Sequence, residues 1–259
     1  MIPFRSFFRG AFLSTAGSFR AINPAIHVLN GHIIGADIRQ GKDRFRDLLT
    51  KLSRVAQFIR IEDACEMISR QQQVSAPLIA FTFDDGFEDC YNDIAPVLEE
   101  FGTNALFFIN PNFATGDEIY VDAFLSKNVP DIPRRAPMNV AMIRNLAERG
   151  FIIGAHTMDH EKLTSDVPSF LHHQINDCKG AVEEISGKPC DYFAWTYGGY
   201  ADISEAAIQL AVNQYKYTFS SDRYSQYTCF NGKIINRRHF ECDWPFSHLR
   251  YFLSSSRHY

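Results

Sequence analysis

The chain has 259 residues, of which 46% are hydrophobic and 22% are charged, and its formal net charge is −4. This composition predicts a sizeable hydrophobic core and excludes a largely disordered chain. The weak negative charge provides no broad basic surface, which argues against nucleic acid as the main partner. The length suits one α/β barrel-like domain or two smaller domains, and we expect a single domain over residues 1–259.

Residues 1–25 are interpreted as an N-terminal extension. Its apolar run is short and rich in small polar residues, so it is a poor signal peptide and too short to be a transmembrane segment. The six cysteines are scattered without a CxxC pair, which favours free thiols in a reducing compartment, although their even number permits disulfides. We therefore expect a cytoplasmic protein. Phenylalanines among the arginines of the extension would also suit a position at the inner membrane face.

Apolar runs bounded by turn residues alternate with stretches of helical period along most of the chain. Strands that alternate with helices predict a mostly parallel sheet. Residues 117–137 contain three prolines and no clean period, so we expect a lid-like loop there. The expected strands lie near residues 25–29, 57–61, 78–83, 104–109, 151–153, 191–195, 216–220 and 233–237. The expected helices lie near residues 43–55, 62–72, 88–101, 139–150, 171–185, 204–214 and 245–253.

The run at residues 78–83 is almost entirely apolar and is followed directly by Asp84, Asp85 and Gly86. Such a run predicts a strand buried on both faces, as in a parallel sheet. Ligands and catalytic groups gather at the carboxyl ends of strands in parallel α/β folds. Asp84 and Asp85 are therefore candidates for chemistry, although Asp-Asp-Gly is also an ordinary turn sequence.

A second polar cluster contains His156 and His160 and follows another apolar run. Histidines four residues apart share one face of a helical turn, and this spacing suits two imidazoles on one metal ion. With one carboxylate they provide three protein ligands and leave a position for water, as in catalytic zinc sites. A lone histidine pair is often structural, but a histidine pair and an aspartate pair after two different strands favour a metal site.

These two clusters resemble the first two motifs of the polysaccharide deacetylases, the NodB-like group of carbohydrate esterase family 4. The first is Thr-Phe-Asp-Asp-Gly at residues 82–86, and the second is His-Thr-Met-Asp-His at residues 156–160. Their order and spacing also match, and the resemblance covers residues 26–259. It implies an α/β fold: a distorted (β/α) barrel of about seven parallel strands with the motifs at its carboxyl rim.

The resemblance also implies a role for each motif residue. Asp85, His156 and His160 would bind one divalent metal ion, zinc first, with cobalt, manganese or iron as alternatives. Asp84 would be the general base that activates the metal-bound water. The activity implied is hydrolysis of the N-acyl group of an amino sugar, with acetyl as the first expectation.

Family members carry a third motif, often Arg-x-Pro-Tyr-Gly, whose tyrosine supplies a backbone N–H to the developing oxyanion. Tyr197 matches that tyrosine, whereas Thr196 replaces the proline and no arginine precedes it. A backbone donor does not depend on the side chain, so an oxyanion hole at Tyr197 remains possible in spite of these changes. His239 follows the last expected strand and is the candidate general acid that protonates the leaving amine.

Arg134 and Arg135 lie in the lid-like loop, where they would either be solvated or bind a phosphate or carboxylate of the substrate. The expected location favours a nucleotide- or lipid-linked sugar, as in the assembly of a surface polysaccharide or lipopolysaccharide. Two alternatives stay open. One is a sugar N-deformylase, because the same water would cleave a formyl group, and the other is a non-catalytic carbohydrate-binding relative. The sequence does not define an oligomeric state.

Overall fold

A computed structural model describes residues 4–130 and 133–259, with residues 4–9 and 11 described in their backbone only. Within these residues one sheet of ten strands forms the centre of the protein. The strands are β1 (Ile26–Gly31), β2 (Gln57–Phe58), β3 (Leu78–Phe83), β4 (Ala105–Ile109), β5 (Ile152–Ala155), β6 (Tyr192–Ala194), β7 (Tyr217–Ser220), β8 (Thr228–Cys229), β9 (Ile234–Asn236) and β10 (Arg238–His239).

The strand order is β10-β1-β3-β4-β5-β6-β7-β9-β8, and β2 pairs with β3. Neighbouring strands are parallel except for β8 and β9. β9 and β10 are separated only by Arg237, and they pair with β7 and β1 respectively. This one segment therefore joins the two sides of the sheet and closes it into a barrel. The predicted parallel barrel is confirmed. The eight expected strand positions all hold a strand, and the short strands β8 and β10 bring the total to ten, above the expected count of about seven.

The helices surround the barrel and mostly follow the predicted order. Two segments, Cys90–Ile94 and His172–Asp177, are wider π-helical turns that run into the helix that follows them. The α-helices are α1 (Phe4–Ser18), α2 (Ile38–Leu52), α3 (Ile61–Ser69), α4 (Ala95–Glu100), α5 (Pro111–Thr115), α6 (Glu118–Asn128), α7 (Val140–Glu148), α8 (Pro168–Leu171), α9 (Cys178–Ser186), α10 (Glu205–Gln214) and α11 (Phe246–Leu253).

Strand β3 separates the two parts of the core because successive side chains of a strand point to opposite faces. Ile79, Phe81 and Phe83 pack outwards against the helices, in the larger hydrophobic cluster. Leu78 and Ala80 point into the barrel, where α3 contributes to a second cluster at the amino end. The same alternation places the next inward positions, residues 82 and 84, in the barrel interior. The sheet itself therefore aims the first aspartate at the centre of the barrel mouth.

Residues 117–137 were expected to be a loop without secondary structure, and that expectation was wrong. The segment contains helix α6, whose first turn is capped by Asp117 through a hydrogen bond from the N–H of Tyr120 (2.9 Å). Only three residues of this helix are buried, which is too few to produce a clear apolar period in the sequence. Asp131 and Ile132 lie outside the described residues.

The N-terminal extension contains helix α1, which packs along α11 at the other end of the chain. The two helices approach closely at Gly17, where an added Cβ would lie 1.8 Å from the carbonyl oxygen of Ser247. The hydroxyl of Ser14 lies 3.1 Å from His248 Nε2. No helix in the described ranges is long and apolar enough to cross a membrane. All six cysteines are free thiols, as predicted.

Candidate active site

A cleft of about 470 Å³ opens at the carboxyl ends of the barrel strands. The segments that follow β1, β3, β5, β6 and β7 all contribute to its lining, together with β10. The structure brings six of the predicted site residues to this cleft: Asp84, Asp85, His156, His160, Tyr197 and His239. Its position agrees with the expectation that chemistry lies at the carboxyl rim of a parallel barrel.

Three of these side chains converge on one point. Oδ1 of Asp85 lies 3.2 Å from Nε2 of His160 and 3.5 Å from Nε2 of His156. One ligand atom from each residue lies within 4.8 Å of the others, and all three residues are buried. Oδ1 of Asp85 also accepts no hydrogen bond in this environment. A buried carboxylate oxygen left without a hydrogen bond between two imidazoles is costly unless a cation compensates its charge.

On the side of each imidazole that faces away from Asp85, a hydrogen bond fixes which ring nitrogen points towards Asp85. Nδ1–H of His156 donates to the carbonyl oxygen of Ala194 (2.8 Å), and Nδ1–H of His160 donates to Oδ1 of Asn128 (3.1 Å). With Nδ1 protonated in the neutral ring, each Nε2 directs a lone pair towards Asp85. Metal-bound histidines have this arrangement, in which a hydrogen bond orients the ligand. The donor set therefore fits a divalent cation such as zinc.

The sequence suggested a helical turn as the reason why the two histidines meet, and that reason was wrong. Residues 156–160 form a loop in which Thr157 (φ +61°) and His160 (φ +58°) have left-handed backbone. The amide of Asn110 donates to the carbonyl oxygens of His156 and Thr157 and supports this conformation. Asp85 has the same kind of backbone, with φ +72°. Strained backbone of this kind clusters at functional sites, because the surroundings must hold it in place.

Asp84 is held by an arginine that the sequence did not reveal as a site residue. Nη1 and Nη2 of Arg237 donate to the two carboxylate oxygens of Asp84 at 2.7 and 3.0 Å. The amide of Asn30 donates to Oδ2 at 3.0 Å. Arg237 is fully buried and lies between β9 and β10, where its guanidinium packs over Phe108. The chain lacks an arginine before Tyr197, but this arginine from another part of the barrel contacts the carboxylate.

These contacts set the charge of Asp84. Burial is the largest single effect and would raise the pKa of the carboxyl group, but the Arg237 guanidinium, His156 and His32 together outweigh it. The pKa therefore lies below its ordinary value, and Asp84 is a carboxylate at neutral pH. A paired carboxylate next to a metal site can accept a proton while the guanidinium holds it in one orientation.

Tyr197 lies on one wall of the cleft. Its ring is half exposed and lies 5.1 Å from the ring of His160, and its hydroxyl donates to Oδ1 of Asn128 at 3.3 Å. The backbone at Tyr197 is left-handed (φ +63°), and Gly198 follows with φ +70°. A Cβ at Gly198 would lie 2.6 Å from the side chain of Ser221, so glycine is required there. This turn fixes the backbone of Tyr197 beside the histidine pair.

His239 lies across the cleft and is joined there by His32 and Glu241. Its Nε2–H donates to Oε1 of Glu241 at 2.8 Å. The ring of His32 lies 5.5 Å from the ring of His239, and all three side chains line the cleft. The spacing from His239 to Glu241 along the chain was the available signal, because alternate residues of an extended segment lie on one side.

Arg134 and Arg135 do not line the cleft, which speaks against the alternative that they bind a phosphate or carboxylate of the substrate there. Arg134 is exposed and pairs with Glu118 (2.5 Å) and Asp122 (3.0 Å) on helix α6. Arg135 is buried, and its guanidinium donates to the carboxylate of Asp89 and to the carbonyl oxygen of Gly35. Both arginines are thus bound to groups of the protein itself.

The chain belongs to the polysaccharide deacetylase family. The family model matches residues 71–219, which include both aspartates, both histidines and Tyr197. Among known proteins, the chain is 23% identical over 148 residues to YxkH of Bacillus subtilis, whose name places it with the polysaccharide deacetylases. That match covers 57% of this chain and 47% of the relative, so the chain spans about half the length of this curated relative.

Solved structures with the same fold include IcaB from Ammonifex degensii, with a TM-score of 0.67 and 17% identity. The similarity covers 91% of this chain and all of IcaB. Another is the Streptococcus pyogenes deacetylase PplD in complex with acetate, with a TM-score of 0.66 and 18% identity over 88% of this chain and 97% of PplD. At this level of identity these likenesses establish the deacetylase-type barrel.

Proposed function

We propose that this protein is a metal-dependent hydrolase that removes an N-acyl group from an amino sugar, with acetyl as the first candidate for that group. The observation that carries the proposal is the Arg237-bound carboxylate of Asp84 beside the Asp85–His156–His160 cluster. A pure sugar-binding protein gains nothing from a buried base next to a metal site. Family membership supports the same reaction class, although the chain spans only half of the curated relative.

In this proposal Asp85, His156 and His160 hold one divalent metal ion, with zinc as the first choice for an Asp-His-His donor set. When bound, such an ion lowers the pKa of a water molecule and polarises an acyl carbonyl group. The protein contributes the orientation of the ligands. Ala194 and Asn128 hold the two imidazoles with Nε2 facing the carboxylate of Asp85, so the orientation of both rings is set by the protein.

Asp84 is the proposed general base. The two hydrogen bonds from Arg237 and the one from Asn30 fix its carboxylate and leave it ionised at neutral pH. It can therefore take a proton from the attacking water. The backbone N–H of Tyr197 is the proposed donor to the oxyanion of the tetrahedral intermediate. His239 is the proposed general acid, and Glu241 orients its ring.

The proposed substrate is an N-acylated sugar carried on a nucleotide or a lipid, within the assembly of a surface glycan. The cleft volume of about 470 Å³ is in the range that holds a small ligand. The exposed Tyr197 ring supplies an apolar face of the kind that packs on a sugar ring. With neither Arg134 nor Arg135 in the cleft, recognition of a phosphate by these two residues is no longer part of the proposal.

The first experiment measures the metal content per chain by elemental mass spectrometry, on protein purified without chelator or nickel resin. We expect near-stoichiometric metal in the wild type and its loss in His156→Ala. His172→Ala is the matched control, because His172 is an exposed histidine outside the cleft and its removal should leave the metal in place. The same preparations are then incubated with N-acetyl and N-formyl hexosamines, free and linked to nucleotide or lipid, and released acetate and formate are measured.

Acetate release by the metal-loaded wild type, absent in His156→Ala, is the expected result. Formate release without acetate would make the protein a deformylase instead. Saturable sugar binding without release of either acid would identify a non-catalytic carbohydrate-binding relative. If the chain takes up no metal even after zinc, cobalt or manganese is added, the metal assignment is wrong.

A further inference from the structure

Helices α1 and α11 form a surface whose charge differs from that of the rest of the protein. The chain carries a net charge of −4, yet residues 1–36 and 244–259 contain no aspartate or glutamate. These two segments contain five arginines. Because α1 packs against α11, these two acid-free helices lie side by side in the fold. Helices α1 and α11 thus carry no negative side chain of their own, although Asp47 and Asp243 share a hollow with Trp244 and Phe246 beside the start of α11.

The same surface exposes large aromatic side chains. Phe19 is 87% exposed and Phe12 is 59% exposed, which is unusual for phenylalanine in a folded protein. Phe12 lies on α1 and Phe19 directly follows its last residue, seven positions later, so helical spacing places both near one face. Phe12 also packs edge-on against Tyr251 of α11, with ring centroids 5.7 Å apart. These rings extend the surface from one helix to the other.

Two arginines lie among these rings. The guanidinium of Arg20 lies 4.7 Å from the ring centroid of Tyr251, and that of Arg250 lies 5.6 Å from the ring centroid of Phe246. Their hydrogen bonds go to the hydroxyl of Ser254 and to the carbonyl oxygen of Arg20, respectively. Within the described part of the chain both positive charges are thus held by aromatic and neutral polar groups. Arginines beside exposed aromatic rings are typical of surfaces that bind the lipid–water interface.

The surface is connected to the wall of the cleft through Trp244. The ring of Trp244 lies 5.7 Å from that of His239 in the cleft and 5.3 Å from that of Phe252 on α11. A protein bound through α1 and α11 would therefore hold its cleft next to the surface to which it is bound. The cleft would then lie close to a substrate that is anchored in the surface to which the protein is bound.

We propose that the α1–α11 face, defined by Phe12, Phe19, Arg20, Arg250 and Tyr251, binds an anionic lipid membrane. The two phenylalanines insert at the level of the headgroups, and the arginines attract the anionic lipids. The charge of the face selects this occupant, because Arg20 and Arg250 contact aromatic rings and neutral oxygens, and an anionic lipid surface supplies the opposite charge. The proposal does not depend on the catalytic assignment, because membrane binding and acyl release are measured separately.

The test is co-sedimentation of the full chain with lipid vesicles. We expect the wild type to bind vesicles that contain phosphatidylglycerol, and not vesicles of phosphatidylcholine alone. High salt should release it, because screening weakens attraction between exposed charges. Phe12→Ser/Phe19→Ser should abolish binding. Ile119→Ser is the matched control, because Ile119 is 80% exposed on α6, away from α1 and α11.

A second pair of variants tests the charges. Arg20→Gln/Arg250→Gln should weaken binding to the anionic vesicles by roughly fivefold for each arginine removed. Arg70→Gln/Arg134→Gln removes two exposed arginines that pair with carboxylates on α3 and α6, and it should leave binding unchanged. Near-ultraviolet circular dichroism checks that all four variants keep the fold of the wild type.

Several results would overturn the proposal. The proposal is wrong if the wild type fails to bind anionic vesicles at low salt, or if Phe12→Ser/Phe19→Ser binds as well as Ile119→Ser. Light scattering supplies the remaining outcome: if the wild type is a dimer and Phe12→Ser/Phe19→Ser is a monomer, a second copy of the chain covers this face instead of a membrane.

Discussion

Arg237 and Asp84 form a buried ion pair on the floor of the cleft, whereas Arg135 and Asp89 form a buried ion pair outside it. Arg237 donates to both carboxylate oxygens of Asp84, and Asn30 adds a third hydrogen bond. Arg135 contacts a single oxygen of Asp89, and its Nε has no hydrogen-bond partner. The hydrogen-bonding groups of the arginine and the aspartate are thus better satisfied in the pair inside the cleft than in the pair outside it.

The pKa of each carboxyl group follows this difference. For Asp84 the effect of burial is outweighed by Arg237, His156 and His32 together, and the pKa falls below its ordinary value. For Asp89 burial dominates over the N–H of Ile34 and the charge of Arg135, and the pKa rises. Two hydrogen bonds from one guanidinium keep a carboxylate ionised and oriented, which a proton acceptor requires. The Arg135–Asp89 pair instead ties residue 135 to the segment after β1.

The largest expected difference between the two pairs lies in turnover. Asp84→Asn should lower kcat by roughly 10²–10⁴, because the amide cannot accept the proton. It should keep its metal, because Asp84 is not one of the three ligands. Asp89→Asn removes the same charge outside the cleft and should leave kcat unchanged. Steady-state kinetics and metal analysis of both variants test this, and near-normal turnover in Asp84→Asn would disprove the base assignment.

The second expectation concerns stability at the pair outside the cleft. Arg135→Met leaves the Asp89 carboxylate buried without its charged partner, and breaking a buried ion pair in this way costs about 3–5 kcal/mol of unfolding free energy. Urea unfolding of the wild type and the variant measures this loss. The kcat of the folded variant should equal that of the wild type. A large fall in kcat at temperatures where the variant is folded would show that Arg135 acts on the site after all.

A third experiment separates positioning from charge at Asp84. Arg237→Lys keeps the positive charge but replaces two parallel N–H donors with a single ammonium group. We expect kcat to fall by roughly 10²-fold with little change in KM, because a small displacement of a catalytic group has an effect of that order. Arg135→Lys is the matched control, since it makes the same exchange at the other pair. If both lysine variants lose turnover equally, Arg237 has no special role in orienting Asp84.

The parts of the site that the sequence revealed are those that depend on local pattern. The apolar run before Asp84 predicted a buried strand, and alternation along that strand directs Asp84 into the barrel. The candidate metal cluster was recognisable because its three residues follow two such strands. The elements with a strong period or a cap, such as the helix that begins after Asn139, were also found.

The parts that the sequence did not reveal depend on contacts between distant segments. Arg237 and Asp84 are 153 positions apart, and only closure of the barrel by β9 and β10 brings them together. Arg135 is one of two adjacent arginines in a polar segment, and nothing local distinguishes a buried arginine from an exposed one. The loop that joins His156 and His160 depends on left-handed backbone at Thr157, which a spacing rule cannot predict.

His156 and His27 are both buried, but only His156 has carboxylates beside it that offset the cost of burying a positive charge. Burial would lower the pKa of His156, but Asp84 and Asp85 outweigh it, and the pKa rises. His27 has no carboxylate beside it, and burial lowers its pKa from 6.5 to about 3, with Arg257 adding to the effect. Its ring contacts the hydroxyl of Tyr224 and the carbonyl oxygen of Asn23. His27 is therefore neutral in the folded protein at pH 5 but protonated in the unfolded chain.

The low pKa of His27 predicts a loss of stability in acid, which is the smallest of the four expected effects. Below pH 6.5 the unfolded chain binds a proton at residue 27 that the folded protein rejects until about pH 3, so unfolding becomes easier as the pH falls. At pH 5 the contribution should be about 2 kcal/mol relative to pH 7. In His27→Gln that contribution should be absent. Urea unfolding of both proteins at the two pH values, with chelator present throughout, cancels the titration of the shared cleft histidines. An equal loss of stability in both proteins would mean that His27 accepts a proton within the fold.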